Sequence, residues 1–404
     1  MVRPASPCRM LGIDIGGAHI KLANSAGESA AWYFPMWSAA DELANSLRKG
    51  IDCFCRDTRS TYSHIAVTMT GEMADCFATR AAGVEFILQQ LASAITTGEL
   101  HVYSVDGNWL TPHSACQHPW DVAASNWHAL AQWIARHVVT ESDNLRIVLD
   151  IGSTTVDVIP IMDRRVATTA RCDSERLRMR QLVYTGVGRT PIAAILSSAT
   201  LNGVHWPLVA ERFATSDDAY MALGFIPAAD SIRPDAPPSD LMWPDAPPSD
   251  LIWPDAPPSD LMWPDAPPSD YLPQQLGRYG SDTDTADGRP RTVSASRARL
   301  ARMLGEDCER LQHGEIDSLA RAVVERQARQ VAQAITENLP ALSLPDERPL
   351  IMISGHGLPL ARAAVAQLPH AVDCLNLSER ISSGAARCAP AVAVACLLEA
   401  HLSS

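Results

Sequence analysis

Two distant segments of this chain repeat one pattern: an apolar strand, Asp-Ile-Gly, a small residue, a turn and a second strand. The first strand is Met10–Ile15, which runs through Asp14-Ile15-Gly16-Gly17 into an expected strand at residues 19–23. The second is Leu145–Ile151, which runs through Asp150-Ile151-Gly152-Ser153-Thr154-Thr155 into an expected strand at residues 156–161. A third apolar strand, expected at 349–353, enters Ser354-Gly355-His356-Gly357 just before a helix. Between these points strands alternate with helical periodicity, so the fold class is α/β. A length of 404 residues suggests two or three domains.

The chemistry of the repeated turn is that of a phosphate cradle. Glycines let backbone N–H groups approach phosphate oxygens closely. An aspartate at the strand end suits Mg²⁺, which keeps several waters and takes one or two carboxylates. Ser153, Thr154 and Thr155 offer hydroxyls, and the glycine turn at 355–357 opens a helix whose N-terminal amides suit an anion. Neither a GxxxxGK[ST] loop nor a GxGxxG turn after a strand occurs, which disfavours Walker-type NTPases and Rossmann dehydrogenases.

The middle of the chain is different in kind. PDAPPSD occurs four times within residues 234–270 at a ten-residue period, with spacers ending in Trp243, Trp253 and Trp263. The block holds twelve prolines, eight aspartates and no basic residue, so it carries eight of the thirteen net negative charges. Proline at that density blocks helix and central strand, and ten residues are too few for a solenoid unit. The segment 226–279 is therefore expected to be a mobile insertion. An alternative is a docking segment that uses its tryptophans as a route to a protein partner or homo-oligomer.

Composition narrows the function further. With 47% hydrophobic residues the chain can bury a core, and no run of ~18 uncharged apolar residues suggests a membrane span. The acidic balance argues against nucleic acid. Ten scattered cysteines, with only Cys53-Phe54-Cys55 as a close pair, fit reduced thiols better than zinc or disulfides. No secretory leader is read at the start, so the expected location is cytoplasmic.

The order of the three turns resembles the acetate and sugar kinase, Hsp70 and actin superfamily. That resemblance implies two ribonuclease-H-like (actin-like ATPase) domains around a ligand cleft. The first would span 10–143 and be completed by a C-terminal helix at 384–404; the second would span 144–383. It also implies that 14–21 and 150–157 are the two phosphate loops and 354–357 an adenosine-type loop. On the same footing, Thr185-Gly186-Val187-Gly188 would open the interdomain connection. Longer stretches narrow the likeness: His64-Ile65-Ala66-Val67-Thr68-Met69-Thr70-Gly71-Glu72-Met73-Ala74-Asp75, Leu182-Val183-Tyr184-Thr185-Gly186 with Arg189-Thr190-Pro191, Glu211-Arg212-Phe213-Ala214-Thr215-Ser216, and Thr285-Ala286-Asp287-Gly288-Arg289-Pro290. These are similar to the hydantoinase/oxoprolinase-like branch linked to tetrahydromethanopterin-dependent C1 transfer.

The resemblance implies a transferase of methanofuran-type cofactor biosynthesis. Such an enzyme joins an aminomethylfuran-methyl diphosphate to the phenol of a glutamylated tyramine or tyrosine analogue and releases pyrophosphate, with Mg²⁺ as cofactor. Asp14 and Asp150 are then the expected metal ligands. Gly16, Gly17, Gly152, Ser153, Thr154, Arg189, Gly355 and Gly357 are the expected phosphate contacts. Lys21, seven residues after Asp14, is expected to reach the diphosphate. Glu72 or Asp75, at the carboxyl end of the strand at 65–70, is the expected general base. Asn126 and Trp127 fall on an apolar helix at 122–139, where Trp127 reads as core. His19 and His356 read as groups supporting the loops. Gln181 stands where relatives are expected to carry glutamate. Two other classes compete: an ATP-dependent kinase or ring-opening enzyme, and a non-catalytic binding or assembly protein.

Overall fold

The computed structural model describes residues 10–140, 143–226, 285–311, 313–339 and 348–403. The PDAPPSD repeats, and all of the expected insertion after Ile226, lie outside the described residues.

Two sheets share one topology. In the first, β1 (Met10–Ile15), β2 (His19–Asn24) and β3 (Ser29–Tyr33) form an antiparallel meander. β4 (His64–Met69) and β5 (Glu99–Tyr103) then add parallel to β1, and β6 (Trp109–Leu110) closes the edge, giving the order β3-β2-β1-β4-β5-β6. The second sheet repeats this with β7 (Leu145–Ile151), β8 (Val156–Met162), which carries the short β9 (Arg165–Val166), and β10 (Leu182–Val183) as the meander. After an outlying hairpin, β11 (Ser198–Leu201) with β12 (Val204–Pro207), the parallel strands β13 (Leu350–Gly355) and β14 (Asp373–Asn376) complete the order β10-β8-β7-β13-β14. Three antiparallel strands followed by two parallel ones, twice over, is the ribonuclease-H-like pattern. The fold is α/β, as expected.

Between the sheets lie two apolar helices. Ala389–Leu402 packs on β1, β2 and β4 and on the helix Asn126–Trp133, which in turn touches β8. The buried cluster around them takes Met10 and Ala23 from the first sheet and Val148, Ile159 and Met352 from the second. Ala389–Leu402 (APAVAVACLLEAHL) is apolar on nearly every side because both sides are covered. Its approach to β1 is so close that a Cβ at Gly12 would overlap the Ala391 carbonyl.

Several expected boundaries shift. The helix expected at 122–139 begins only at Asn126, because Ala124 takes a left-handed conformation (φ 49°) and ends the preceding short turn. It then continues into a π-turn at Ile134–Val138. The helix expected from residue 384 is two helices, Ser383–Arg387 and Ala389–Leu402, broken at Cys388 ahead of Pro390.

The described residues flanking the repeat region are cross-pinned. Arg299, fully buried on the helix Val293–Arg302, binds Asp218 of the helix Ser216–Ala222 at 2.7–2.8 Å and Asp287 at 3.1 Å. Arg291 meets Asp217 in a bidentate pair at 2.5 and 2.9 Å.

Candidate active site at the junction of the two sheets

The two matched turns are built alike. In each, the glycine N–H closes onto a carbonyl three residues on: Gly16 to His19 and Gly152 to Thr155, both at 2.9 Å. Cross-strand register then pairs Asp14 with Lys21 and Asp150 with Asp157. The same position thus carries a cation in the first sheet and a carboxylate in the second.

Lys21 Nζ donates to Asp14 Oδ2 at 3.0 Å, while Asp14 Oδ1 is buried and has no hydrogen-bond partner. Burial opposes the charge on Lys21, but Asp14 and, farther off, Asp150 outweigh it and raise the ammonium pKa. Asp150 is pushed up to about 6, first by burial and then by Asp157, against the pull of Lys21 and a hydrogen bond from Ser354. Ser354 lies beside Asp150 because β13 runs parallel to β7 in that register. The turn after it is wedged tightly: Gly355 has φ +85°, and a Cβ there would overlap the Ile151 carbonyl, while one at Gly357 would overlap the Ile151 side chain. His19 and His356 are both held toward the neutral form, by enclosure first and by Lys21 second. Arg189 N–H donates to Ser153 O at 2.7 Å, and its guanidinium stacks 4.6 Å from the Trp37 ring of the first sheet's unit. Gly17 faces open space and Thr154 is exposed.

Thr185–Gly188, expected to open an interdomain connection, packs against the second turn. Val187 N–H donates to Gly152 O at 3.2 Å and Gly188 N–H to Ser153 O at 3.0 Å, and Gly186 lies hard against the Ser153–Thr154 backbone. This segment braces the second turn from behind.

From Asp157 a chain of charges crosses to the first sheet. Arg176, 1% exposed, donates to Asp157 Oδ1 at 2.6 Å and to Gln181 O at 3.0 Å, and lies 4.1 Å above the Trp127 ring. Asp173, at 3.9 Å from Arg176, accepts from Arg80 at 2.7 Å. Arg80 opens the helix Arg80–Ala94, whose Gly83 sits directly on the backbone of Glu72. Glu72 is 1% exposed, and neither carboxylate oxygen has a well-formed hydrogen bond. Burial pushes its pKa up to about 8, with backbone N–H groups and Arg80 only partly opposing. Tyr184 stands half-exposed at this end, close enough to Asp173, Arg80, Asp157 and Glu72 to feel their charges.

The structure therefore brings together Asp14, Lys21, Asp150, Gly16, Gly152, Ser153, Gly355, Gly357 and Arg189. Glu72 lies at the far end of the charge chain. Asp75 is exposed and does not join it, because the chain leaves the turn Gly71–Met73 outward. Trp127 is buried at 3% and serves as the seat of Arg176 rather than as an open platform. The Gln181 side chain accepts from Thr168 at 2.6 Å while its backbone holds Arg176, so the residue orients the cluster. Sequence reading missed Asp157, Arg176, Asp173 and Arg80. One signal was available: Asp157 follows Asp150 by the same seven residues that separate Lys21 from Asp14.

Comparison with known proteins agrees with the sequence likeness. The chain is 36% identical over 224 residues to the (4-{4-[2-(gamma-L-glutamylamino)ethyl]phenoxymethyl}furan-2-yl)methanamine synthase of Methanocaldococcus jannaschii, covering 55% of this chain and 64% of that protein. It is 33% identical over 96 residues to the protein of that name from Methanococcus vannielii, covering 24% of this chain and 43% of that one. The chain thus spans less than two thirds of the length of these relatives. Among solved structures, the activator of 2-hydroxyisocaproyl-CoA dehydratase from Clostridium difficile aligns over 98% of this chain and 97% of that one, with a TM-score of 0.38 and 9% identity. The inorganic polyphosphate/ATP-glucomannokinase from an Arthrobacter strain aligns over 98% and 99%, with a TM-score of 0.40 and 11% identity. Those likenesses are loose, and the fold rests on the strand order above. Over residues 64–232 the chain matches the hydantoinase/oxoprolinase family.

Proposed function

We propose that this chain is a transferase that condenses an aminomethylfuran-methyl diphosphate with the phenol of a glutamylated tyramine-type acceptor, forming an aryl ether and releasing pyrophosphate. The relatives' printed name supports the product class. The observation that carries the reading is the pairing of two phosphate-type turns with a separate, buried, high-pKa carboxyl at one junction. Loss of diphosphate from an electron-rich furan-methyl carbon leaves a stabilised cation, so most of the catalytic demand is for charge stabilisation at the leaving group.

The unpartnered Asp14 Oδ1 and the neighbouring Asp150 are a donor set that suits Mg²⁺. Bound there, Mg²⁺ would supply charge neutralisation for the diphosphate. The N–H groups and hydroxyls of Gly17, Ser153 and Thr154 offer contacts to phosphate oxygens, and Lys21 and Arg189 supply cations. In the reaction the C–O bond to diphosphate breaks, the phenol oxygen forms the new C–O bond, and the phenol proton leaves. Glu72, with a pKa about 8, is the carboxyl placed to accept that proton in its ionised form, so turnover should rise as pH climbs through 8. The acceptor would then lie toward Glu72 and Tyr184, and the diphosphate toward the glycine turns.

The test mixes the protein and Mg²⁺ with both substrates, reading pyrophosphate release and product mass, beside tubes that hold ATP alone. Ether and pyrophosphate in equal amounts without ATP hydrolysis is the expected result. ATP turnover without ether would move the protein to a kinase-type or ring-opening reaction, and silence in both would favour a binding role.

A further inference from the structure

At the opposite end of the first sheet a second cluster stands apart from all of this. β4 begins at His64 and β5 at Glu99, and the parallel register places His64 beside Glu99 and Ala66 beside His101. Alternation along β5 puts Glu99 and His101 on one face, next to His64. Their ligand atoms converge: His64 Nδ1 lies 3.2 Å from His101 Nε2 and 3.7 Å from Glu99 Oε2, and His101 Nε2 lies 3.8 Å from that same oxygen. Side-chain exposure is 28% for His64, 14% for His101 and 67% for Glu99, so the two imidazoles form a floor and the carboxylate an open rim. Trp109 meets the His101 ring edge-on at 6.4 Å and walls one side.

We propose that His64, His101 and Glu99 form a transition-metal site, with the donor set and dimensions of a zinc site. Four-coordinate zinc holds imidazole nitrogen at about 2.0–2.1 Å and carboxylate oxygen at about 2.0–2.2 Å, which sets neighbouring ligand atoms about 3.3–3.5 Å apart. The three observed separations bracket that spacing, and small torsions of the exposed Glu99 close the remainder. Two imidazoles and one carboxylate suit zinc, cobalt or nickel and leave a fourth position open. His401, in the last turn of the helix Ala389–Leu402, is near enough to act electrostatically on His101. Burial, assisted by His64 and His401 and opposed by Glu99, keeps His101 toward the neutral form that binds metal. The bland alternative is a single hydrogen bond between the two rings, with one tautomer donating; it requires no metal.

The site is independent of the proposed chemistry. Glu72 follows the carboxyl end of β4 and His64 opens its amino end, about 17 Å away at ~3.3 Å per strand residue. A structural metal here would tie the two parallel strands together.

The experiment uses full-length protein freed of metal with EDTA and titrated with Co²⁺, whose visible bands report four-coordinate geometry. The nine described cysteines are free thiols and none belongs to the cluster, so sulfur-to-cobalt charge-transfer absorption would reveal binding elsewhere. The expected result is one equivalent of cobalt without a thiolate band, displaced by zinc. Affinity should fall at least ~10–100-fold in Glu99→Gln, and binding should vanish in the His64→Gln/His101→Gln double variant. Should the double variant fail to fold, Glu99→Gln, at the most exposed position, decides alone. Absence of binding, a dominant thiolate band, or undiminished affinity in a folded variant would overturn the site.

Discussion

Glu72→Gln separates the stability of this protein from its chemistry. Glu72 ordinarily titrates at 4.5 but is pushed up to about 8 in the fold, because burial disfavours the anion more than the backbone N–H groups and Arg80 favour it. For an acid raised in this way, folded and unfolded states both hold the proton below 4.5, and there is no penalty there. As pH climbs from 4.5 to 8 the unfolded chain releases its proton while the folded chain keeps it. Stability therefore falls by about 1.4 kcal/mol per pH unit through that window, then levels off above 8. At pH 7 the accumulated cost has a ceiling of ~3 kcal/mol, and local relaxation brings the expected figure to about 1–2 kcal/mol.

Glutamine has nearly the same shape and no charge to desolvate. Glu72→Gln should therefore raise Tm by a few degrees at pH 7.5, be nearly neutral at pH 4.5, and flatten the stability profile between them. If Glu72 also accepts the phenol proton, the same substitution should lower kcat by about 10²–10⁴-fold. Thermal melts at five or six pH values, beside steady-state pyrophosphate release, give both readings. A fall in Tm at pH 7.5 with kcat preserved would refute the reasoning, since the carboxyl would then be a satisfied structural group.

Other outcomes follow from the same geometry. Asp150→Asn should abolish turnover while the circular dichroism spectrum stays native; retained activity would remove Asp150 from the metal role. Deleting 234–270 should leave Tm and kcat nearly unchanged, because Arg299 and Arg291 hold the flanking helices to each other without it; a large loss would show that the repeat contributes to the core. Arg299→Leu should cost about 3–5 kcal/mol in a denaturant melt, since it leaves the buried Asp218 without its guanidinium partner; a loss below ~1 kcal/mol would mean that water reaches it.

The fold was legible because its signals are local. Each Asp-Ile-Gly ends an apolar strand, and the return strand begins three or four residues on, so the first two strands of each meander could be placed to within a residue or two. Where sequence reading strayed, a tertiary contact had decided the matter. Ala124 is an ordinary helix former, yet it takes φ 49° and delays the helix to Asn126. Cys388 breaks the last helix where its thiol meets the Ala30 carbonyl at 3.5 Å. At the site, the residues whose placement was legible were those inside the turns, whose tight backbone geometry is written in their glycines. Arg176 and Arg80 did not, because an arginine's use depends on which carboxylate the fold brings to it. Nothing in Asp173-Ser174-Glu175-Arg176 distinguishes it from a solvated helix start.

The charge count at the junction also bears on how a diphosphate would be held. Lys21, Arg80, Arg176 and Arg189 are balanced by Asp14, Asp150, Asp157 and Asp173, and three of the four cations are already engaged by carboxylates within about 3 Å. With Glu72 protonated, the cluster has no net positive charge to offer an anion. A diphosphate entering alone would meet neutralised cations and, at neutral pH, a largely ionised Asp150, an arrangement that repels as readily as it attracts. Binding therefore requires either a cation arriving with the substrate or Lys21 giving up Asp14. Both routes point to Asp14, whose Oδ1 is already free. The expectation is that Mg²⁺ and pyrophosphate bind with strong mutual dependence, each at least ten-fold tighter when the other is present. Asp14→Asn should remove that coupling without removing the weak binding of pyrophosphate alone. Titration calorimetry of one ligand at fixed levels of the other measures it directly, and additive binding in the unmodified protein would mean that the turns hold phosphate without a metal.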